Sequence, residues 1–268
     1  MMGGFALGPF VLSADRAPVL LALLILLGAS GVIARKRGPA IANWASVAAL
    51  MAGLSARLGF VIQHLESFRA DPLSILAFWQ GGFSPLWGAA GFAAVSAWYL
   101  GRRTDLILPA VASVVCAFIG WNVAQQLARG MDVAPLGDMQ LATLSGDPVT
   151  PADWQGRPMV INLWASWCPP CRREMPMMAE VAAGLTDVDM HFVNQGEGAE
   201  AVRRYLSREG ILIAPVMDPG SQMMRHFAAM GLPATLFIDA SGTLRAAHMG
   251  EISHAHLMAG IRDLKEND

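Results

Sequence analysis

Three cysteines in 268 residues are too few for a disulfide-framed scaffold. Charged residues, at 15%, are too few for an ordinary soluble protein. No basic run exceeds Arg35, Lys36 and Arg37, which argues against a nucleic-acid partner, because that function needs phosphate-neutralising charge gathered on one face. What the chain has in excess is apolar: 54% of its residues are hydrophobic and its mean hydropathy is +0.42. Charge is unevenly divided. Nine Lys and Arg stand against four Asp and Glu before residue 130, and ten against seventeen after it, so the two halves carry opposite signs.

Four apolar stretches precede residue 130: Ala17 to Ala34, Ile41 to Ile62, Pro85 to Leu100 and Leu106 to Ala124. Each is near the length that about 30 Å of hydrocarbon requires, and four spanning helices are expected. The first has no positive n-region before it and is followed by Lys and Arg, so it reads as a span and not as a cleaved secretory signal. Arg35, Lys36 and Arg37 lie between the first two spans and Arg102 and Arg103 between the last two, which places both loops in the cytoplasm. The loop holding Glu66, Arg69 and Asp71, both termini and the acidic half then face outward, where disulfides persist. The expected domains are a four-helix transmembrane unit at 1–125, a linker at 126–138 and an outer α/β domain at 139–268.

Within the membrane half, the run Ser55 to His64, with Arg57-Leu58-Gly59, precedes Asp71 to Ser84, with Trp79-Gln80-Gly81-Gly82. In this order the two resemble the prolipoprotein diacylglyceryl transferase family. Where that family continues with Ser-Phe-His-Gly-Gly, this chain has Ser84-Pro85-Leu86-Trp87-Gly88. The histidine is missing, as are the later spans that complete the family's active site, so the resemblance implies a truncated membrane scaffold. Arg57 reads in two ways: as a residue binding a lipid phosphate, or as one that snorkels outward or pairs with Glu66. Cys116 reads as a small apolar packing residue. One thiol cannot cycle as a pair, so the spans read as an anchor.

After about residue 139, β-like and helical runs alternate. Met159 to Ala165 is expected as a strand, followed by a helix to about Ala183. A strand follows at Met190 to Gln195, a helix at Ala199 to Arg208, a strand at Ile213 to Asp218 and a helix from Ser221. Two closing strands, Ala234 to Asp239 and Gly242 to Gly250, precede a last helix capped by Ser253. This order implies helices packed on a mixed sheet. Val160 to Pro176 carries the chemistry. A buried strand ends in Trp164, and Cys168 opens a helix whose first turn holds Pro169 and Pro170, residues tolerated where the N–H groups have no intrahelical partner. Those N–H groups and the helix dipole favour a thiolate at Cys168. Cys171 lies one turn on, on the same face, close enough to attack a mixed disulfide made by Cys168.

Trp167-Cys168-Pro169-Pro170-Cys171 after a hydrophobic strand, with Gly231 to Asp239 further on, resembles the TlpA-like membrane-anchored thioredoxin family, over about residues 139 to 265. The resemblance implies a thioredoxin-like fold and a protein disulfide reductase. It also implies a cis-proline at Pro233, with Leu232 offering backbone to an extended substrate. Glu174 matches an acidic residue near the resolving cysteine and would move its proton, or else is an exposed glutamate favoured by the helix dipole, while Asn162 replaces the buried Asp of cytosolic thioredoxins. The candidate catalytic residues are thus Cys168, Cys171 and Glu174, and the candidate substrate-binding residues Trp167, Pro169, Pro170, Leu232 and Pro233.

No metal and no cofactor are expected: His248, His254 and His256 lack the i, i+4 spacing of one helical face, and the cysteine pair lacks a second ligand pair. Val193 to Glu197 ends a strand near the active edge and reads equally as a turn or as a substrate contact. Met175, Met177, Met178, Met223, Met224 and Met230 read as core residues whose apolar rim also suits peptide substrates. The expected partners are protein thiols and disulfides, the lipid bilayer and a separate transmembrane electron donor of the DsbD/CcdA type. The expected location is a bacterial inner membrane, with the outer domain in the periplasm. Four other functions compete. They are a thiol oxidase, a thiol peroxidase (which lacks its Thr before Cys168), a non-catalytic membrane assembly factor and residual diacylglyceryl transfer.

Overall fold

The computed structural model describes residues 5–7, 10–12, 17–69, 72–129 and 135–266. Most of these fall into two compact units, one within Ala14–Gly130 and one within Met131–Asp268. Asp71 and the middle of the expected linker, residues 130–134, lie outside the described residues. Near the start, β1 (Phe5–Leu7) and β2 (Phe10–Leu12) pair as an antiparallel ribbon.

The first unit is helical: α1 (Ala17–Arg37), α2 (Ala40–Gln63), the short α3 (Leu65–Arg69), α4 (Pro85–Gly101) and α5 (Ile107–Arg129). Among the described residues, three helical stretches are long and apolar enough to cross a membrane: Pro18–Arg37, Ala40–Gln63 and Thr104–Gln126. Helix α4, expected as the third span, has 17 residues, about 25 Å at 1.5 Å per residue. Its packing is close. A Cβ on Gly59 of α2 would lie 2.0 Å from the Trp87 ring, and one on Gly91 of α4 would lie 2.3 Å from Ser55 Oγ. Small residues thus let the two backbones approach, the usual basis of helix association where no hydrophobic gain separates helix from lipid. Trp44 Nε1 donates to Ser96 Oγ at 3.2 Å and Tyr99 Oη to the Ala40 carbonyl at 3.1 Å.

Arg57 is not paired with Glu66. Its guanidinium donates to the carbonyls of Ser74, Ile75, Gly81 and Gly82 at 2.7, 3.1, 2.5 and 3.0 Å, while Glu66 is bridged to Arg69 at 2.7 Å. Gly81 and Gly82, at φ 84° and 79°, reach conformations a side chain would strain; there they turn both carbonyls toward one cation. Arg57 therefore staples the turns after α3 to α2. Cys116, expected to pack inside, lies exposed on α5, where lipid can cover a small apolar thiol as well as protein does.

The second unit is a seven-stranded sheet in the order β4-β3-β7-β6-β5-β8-β9. The strands are β3 (Leu141–Thr143), β4 (Pro148–Val149), β5 (Met159–Trp164), β6 (Asp189–Gln195), β7 (Pro215–Asp218), β8 (Ala234–Ile238) and β9 (Leu244–Met249). β5, β6 and β7 run parallel, and β3, β4, β8 and β9 pair antiparallel, giving the mixed sheet expected. All six residues of β5 are buried, because helices or loops cover both of its faces. Val160 and Trp164 pack with α6 (Pro169–Gly184), α7 (Ala199–Glu209) and α9 (His254–Glu266); Met159, Ile161 and Leu163 pack with Met223 of α8 (Gln222–His226) and Phe227. Ser253 caps α9 as expected, its Oγ accepting from His256 N at 3.3 Å.

Candidate active site

The central strand β5 delivers the chain to Ala165, Ser166 and Trp167, and Cys168 is the N-cap of α6, with Pro169 and Pro170 in its first turn. Cys168 and Cys171 are joined as a disulfide with Cα atoms 5.3 Å apart, as a spacing of three at a helix N-terminus allows. Cys171 N–H, the first amide of a helix whose opening prolines have none, donates to Cys168 Sγ at 3.3 Å and so faces the sulfur that would carry charge on reduction. Cys168 keeps 3% exposure and Cys171 none. Trp167 stands out at 67% and Pro169 is exposed beside it. Trp164, by contrast, is fully buried and packs on Tyr205 with ring centroids 5.6 Å apart. The Leu232–Pro233 bond is cis, with Leu232 half-buried and Pro233 buried at the entry to β8.

Glu174 sits one turn beyond Cys171 on α6, 3% exposed. Its Oε1 accepts from Asn162 Nδ2 and its Oε2 from Ile252 N–H, both at 3.0 Å. Burial pushes its carboxyl up to about 8, against the downward pull of those two donors. That value is close to the ordinary thiol's, about 8.5. The same strand position that removes a buried Asp supplies Asn162 as the donor that holds this carboxylate.

Two contributors are not evident in the sequence. Glu197, read there as part of a turn or as a substrate contact, accepts from Ser166 N–H at 2.6 Å, Ser166 Oγ at 2.5 Å and Asn194 Nδ2 at 2.8 Å. It thereby ties the end of β6 to the turn that carries Cys168. Thr235 of β8 pairs directly with Asn162 and is fully buried. Glu197 follows a strand end and Thr235 a cis-proline, but only the sheet register brings either to the site. Of the methionines, Met175, Met178 and Met223 are core residues, whereas Met230 is 43% exposed. The His248 and His256 rings lie with centroids 4.7 Å apart and planes tilted at 58°, and the described residues hold no group of three metal-ligating side chains.

A disulfide at the tip of a helix behind a central strand, with a cis-proline at the entry to the neighbouring strand, defines a thioredoxin-fold dithiol protein. Residues 129–259 match the Redoxin family, and residues 17–130 match the prolipoprotein diacylglyceryl transferase family. The thiol:disulfide interchange protein DsbE of Pseudomonas fluorescens is 30% identical over 129 residues, covering 47% of this chain and 71% of that protein. The thiol-disulfide oxidoreductase ResA of Geobacillus kaustophilus is 26% identical over 162 residues, covering 58% and 93%. Among solved structures, a secreted Mycobacterium tuberculosis disulfide oxidoreductase homologous to E. coli DsbE is 25% identical, with a TM-score of 0.43, over 47% of this chain and 96% of that one. A thioredoxin-family thiol:disulfide interchange protein from Chlorobium tepidum is 26% identical, with a TM-score of 0.43, over 50% and 97%. The chain belongs to the ResA and DsbE family of thiol-disulfide oxidoreductases, joined at its N-terminal side to a diacylglyceryl transferase-like membrane segment.

Proposed function

We propose that this protein is a multi-pass inner-membrane reductase of extracytoplasmic protein disulfides. The transmembrane unit occupies 1–125, the linker 126–138 and the redox domain 139–268, on the periplasmic side. The close α2–α4 packing supports counting α4 as a fourth span, and the basic residues between α1 and α2 and between α4 and α5 support cytoplasmic placement of those loops.

The observation that carries the reading is the unequal placement of the two sulfurs. Cys168 lies at the helix tip beside the exposed Trp167, and Cys171 has no exposure. The reduced Cys168 thiolate attacks one sulfur of a client disulfide, and the other client sulfur leaves as a thiolate. The ionised form of Glu174, the minor one at pH 7 for a carboxyl held at about 8, takes the proton of Cys171, which attacks Cys168 Sγ; the mixed disulfide breaks and the second client thiolate departs. Two electrons have passed to the client, and the Cys168–Cys171 disulfide is the product. Leu232 and Pro233 offer backbone to the client strand, while Trp167, Pro169 and Pro170 flank it. A transmembrane donor of the DsbD/CcdA type then returns two electrons. The chemistry draws on no bound cofactor. The test is trapping: Cys171→Ser should accumulate clients as stable mixed disulfides on Cys168, and a Cys171→Ser protein that captures none in the periplasm refutes the reading.

A further inference from the structure

Helix α4 begins well inside the helical unit. Ser84 N–H, just ahead of Pro85, donates to the Ala56 carbonyl at 2.9 Å, and Ala56 stands seven residues before Gln63, the last residue of α2. At about 1.5 Å per residue, α4 therefore starts about 10 Å below the outer end of α2. Its 17 residues fall short of the roughly 30 Å of a hydrocarbon core. The outer part of that crossing is left to the chain before α4.

Residues 72–84 carry no charged side chain and form two short 3-10 turns, Pro72–Leu76 and Phe78–Gln80, ahead of Gly81 and Gly82. They reach down to Arg57, six residues before the end of α2 and so about 9 Å beneath it. There the guanidinium meets the four carbonyls of Ser74, Ile75, Gly81 and Gly82. Gly82 is pressed on α2, since a Cβ there would lie 2.5 Å from the Phe60 ring. The segment also closes on itself: Ala77 N–H donates to the Ser74 carbonyl and Gln80 N–H to the Ala77 carbonyl, both at 3.1 Å. Irregular backbone persists at membrane depth only where protein satisfies its polar groups, and an intramembrane arginine ordinarily faces protein and meets backbone carbonyls. Arg57 does this for four carbonyls at once.

The apolar side chains of the segment face outward. Leu73, Leu76, Phe78 and Trp79 are 79%, 72%, 66% and 60% exposed, while Gly81, Gly82 and Ser84 are buried. Large apolar side chains gathered without a charge among them mark a surface that meets lipid or protein. Continuity favours lipid: Leu58 and Ile62 of α2 and Leu86 of α4 are exposed too, on the two helices to which the segment is tied. A tryptophan in such a segment suits the boundary between chains and headgroups.

We infer that residues 72–84 form a re-entrant segment that dips into the outer leaflet of the bilayer, lays Leu73, Leu76, Phe78 and Trp79 among the phospholipid chains and hangs by its carbonyls from Arg57. The inference rests on the membrane-spanning reading of the helical unit and refines it: the chain from Pro72 onward is not an aqueous loop, and it supplies the thickness that α4 lacks. Only α3, with the ion pair of Glu66 and Arg69, stays at the watery surface.

The test uses the full chain in phosphatidylcholine nanodiscs, with Cys116→Ala, Cys168→Ser and Cys171→Ser, and one new cysteine carrying the fluorophore NBD. Leu73→Cys and Leu76→Cys report the segment. Leu24→Cys on α1 reports a lipid-facing site, and Glu66→Cys on α3 an aqueous one. The labels at Leu73→Cys and Leu76→Cys should resist iodide, and lipid spin-labelled near the headgroup should quench them at least about twofold more than lipid labelled near the chain end, as a depth of about 9 Å requires. Iodide quenching there as complete as at Glu66→Cys, with Leu24→Cys still quenched by lipid, overturns the inference alone. Quenching by neither agent overturns it in favour of protein covering the segment, and an iodide-quenched label at Leu24→Cys removes the membrane reading itself. Arg57→Met should move the Leu76→Cys label from lipid quenching to iodide quenching while the Leu24→Cys label keeps its own; a Leu76→Cys label that does not move refutes Arg57 as the clasp.

Discussion

Burial holds the Glu174 carboxyl at about 8, from an ordinary 4.5, and the same burial has a thermodynamic consequence. Between those two values the folded protein binds a proton that the unfolded chain does not, so stability falls as pH rises, by about 1.4 kcal/mol per pH unit at the steepest. His191 acts with the opposite sign. Burial lowers it from 6.5 to about 4, so between those values the unfolded chain holds the extra proton and stability falls as pH falls. The two slopes cancel between 4.5 and 6.5. Above 6.5 Glu174 acts alone, and the oxidised redox domain should lose about 2 kcal/mol between pH 6.5 and 8. Glu174→Gln should abolish that loss. The substituted amide can accept from Ile252 N–H, and Asn162 can turn its otherwise unpartnered oxygen to receive the new N–H. Denaturant unfolding of the oxidised full chain in detergent, followed by the fluorescence of buried Trp164, measures this at each pH. A wild-type stability that is level from pH 6.5 to 8, or a slope that persists in Glu174→Gln, refutes the reasoning.

His191→Phe keeps the stack on Trp154, where the rings lie 4.0 Å apart at 8°, and should let stability keep rising down to pH 4.5 in the same titration, by about 3 kcal/mol relative to wild type at pH 4. Gly59→Val places atoms inside the Trp87 ring and should part α2 from α4, read as loss of the full-length protein from membranes, whereas Gly28→Ala, with open space around it, should accumulate normally. Arg57→Met leaves four carbonyls without their donor and should cost about 3 kcal/mol or more, seen as new protease sensitivity within residues 72–84. Glu197→Gln weakens the charge-assisted bonds to Ser166 and should lower client reduction several-fold, with about 1–2 kcal/mol less stability; unchanged activity would show that the turn holds without it.

The redox domain was legible because its signals are local. Trp167-Cys168-Pro169-Pro170-Cys171 follows an unbroken apolar strand, and helix and strand limits from Met159 onward fall within about two residues of expectation. β3 and β4, of three and two residues, carry too short a pattern to detect. The four apolar helices were equally plain, yet Arg57 was not: its partners are main-chain carbonyls, which no side-chain pattern announces. Glu197 and Thr235 were missed for a related reason. Each acts through a residue more than thirty positions away, and only the pairing of β5 with β6 and β8 makes them neighbours.

The direction of electron flow is the central claim, and the redox potential of the Cys168–Cys171 couple tests it most directly. Equilibration of the full chain with glutathione or dithiothreitol buffers at pH 7 should give a value near −270 mV, as for a thioredoxin-like reductant. A value near −120 mV, that of a strong oxidant, would contradict it.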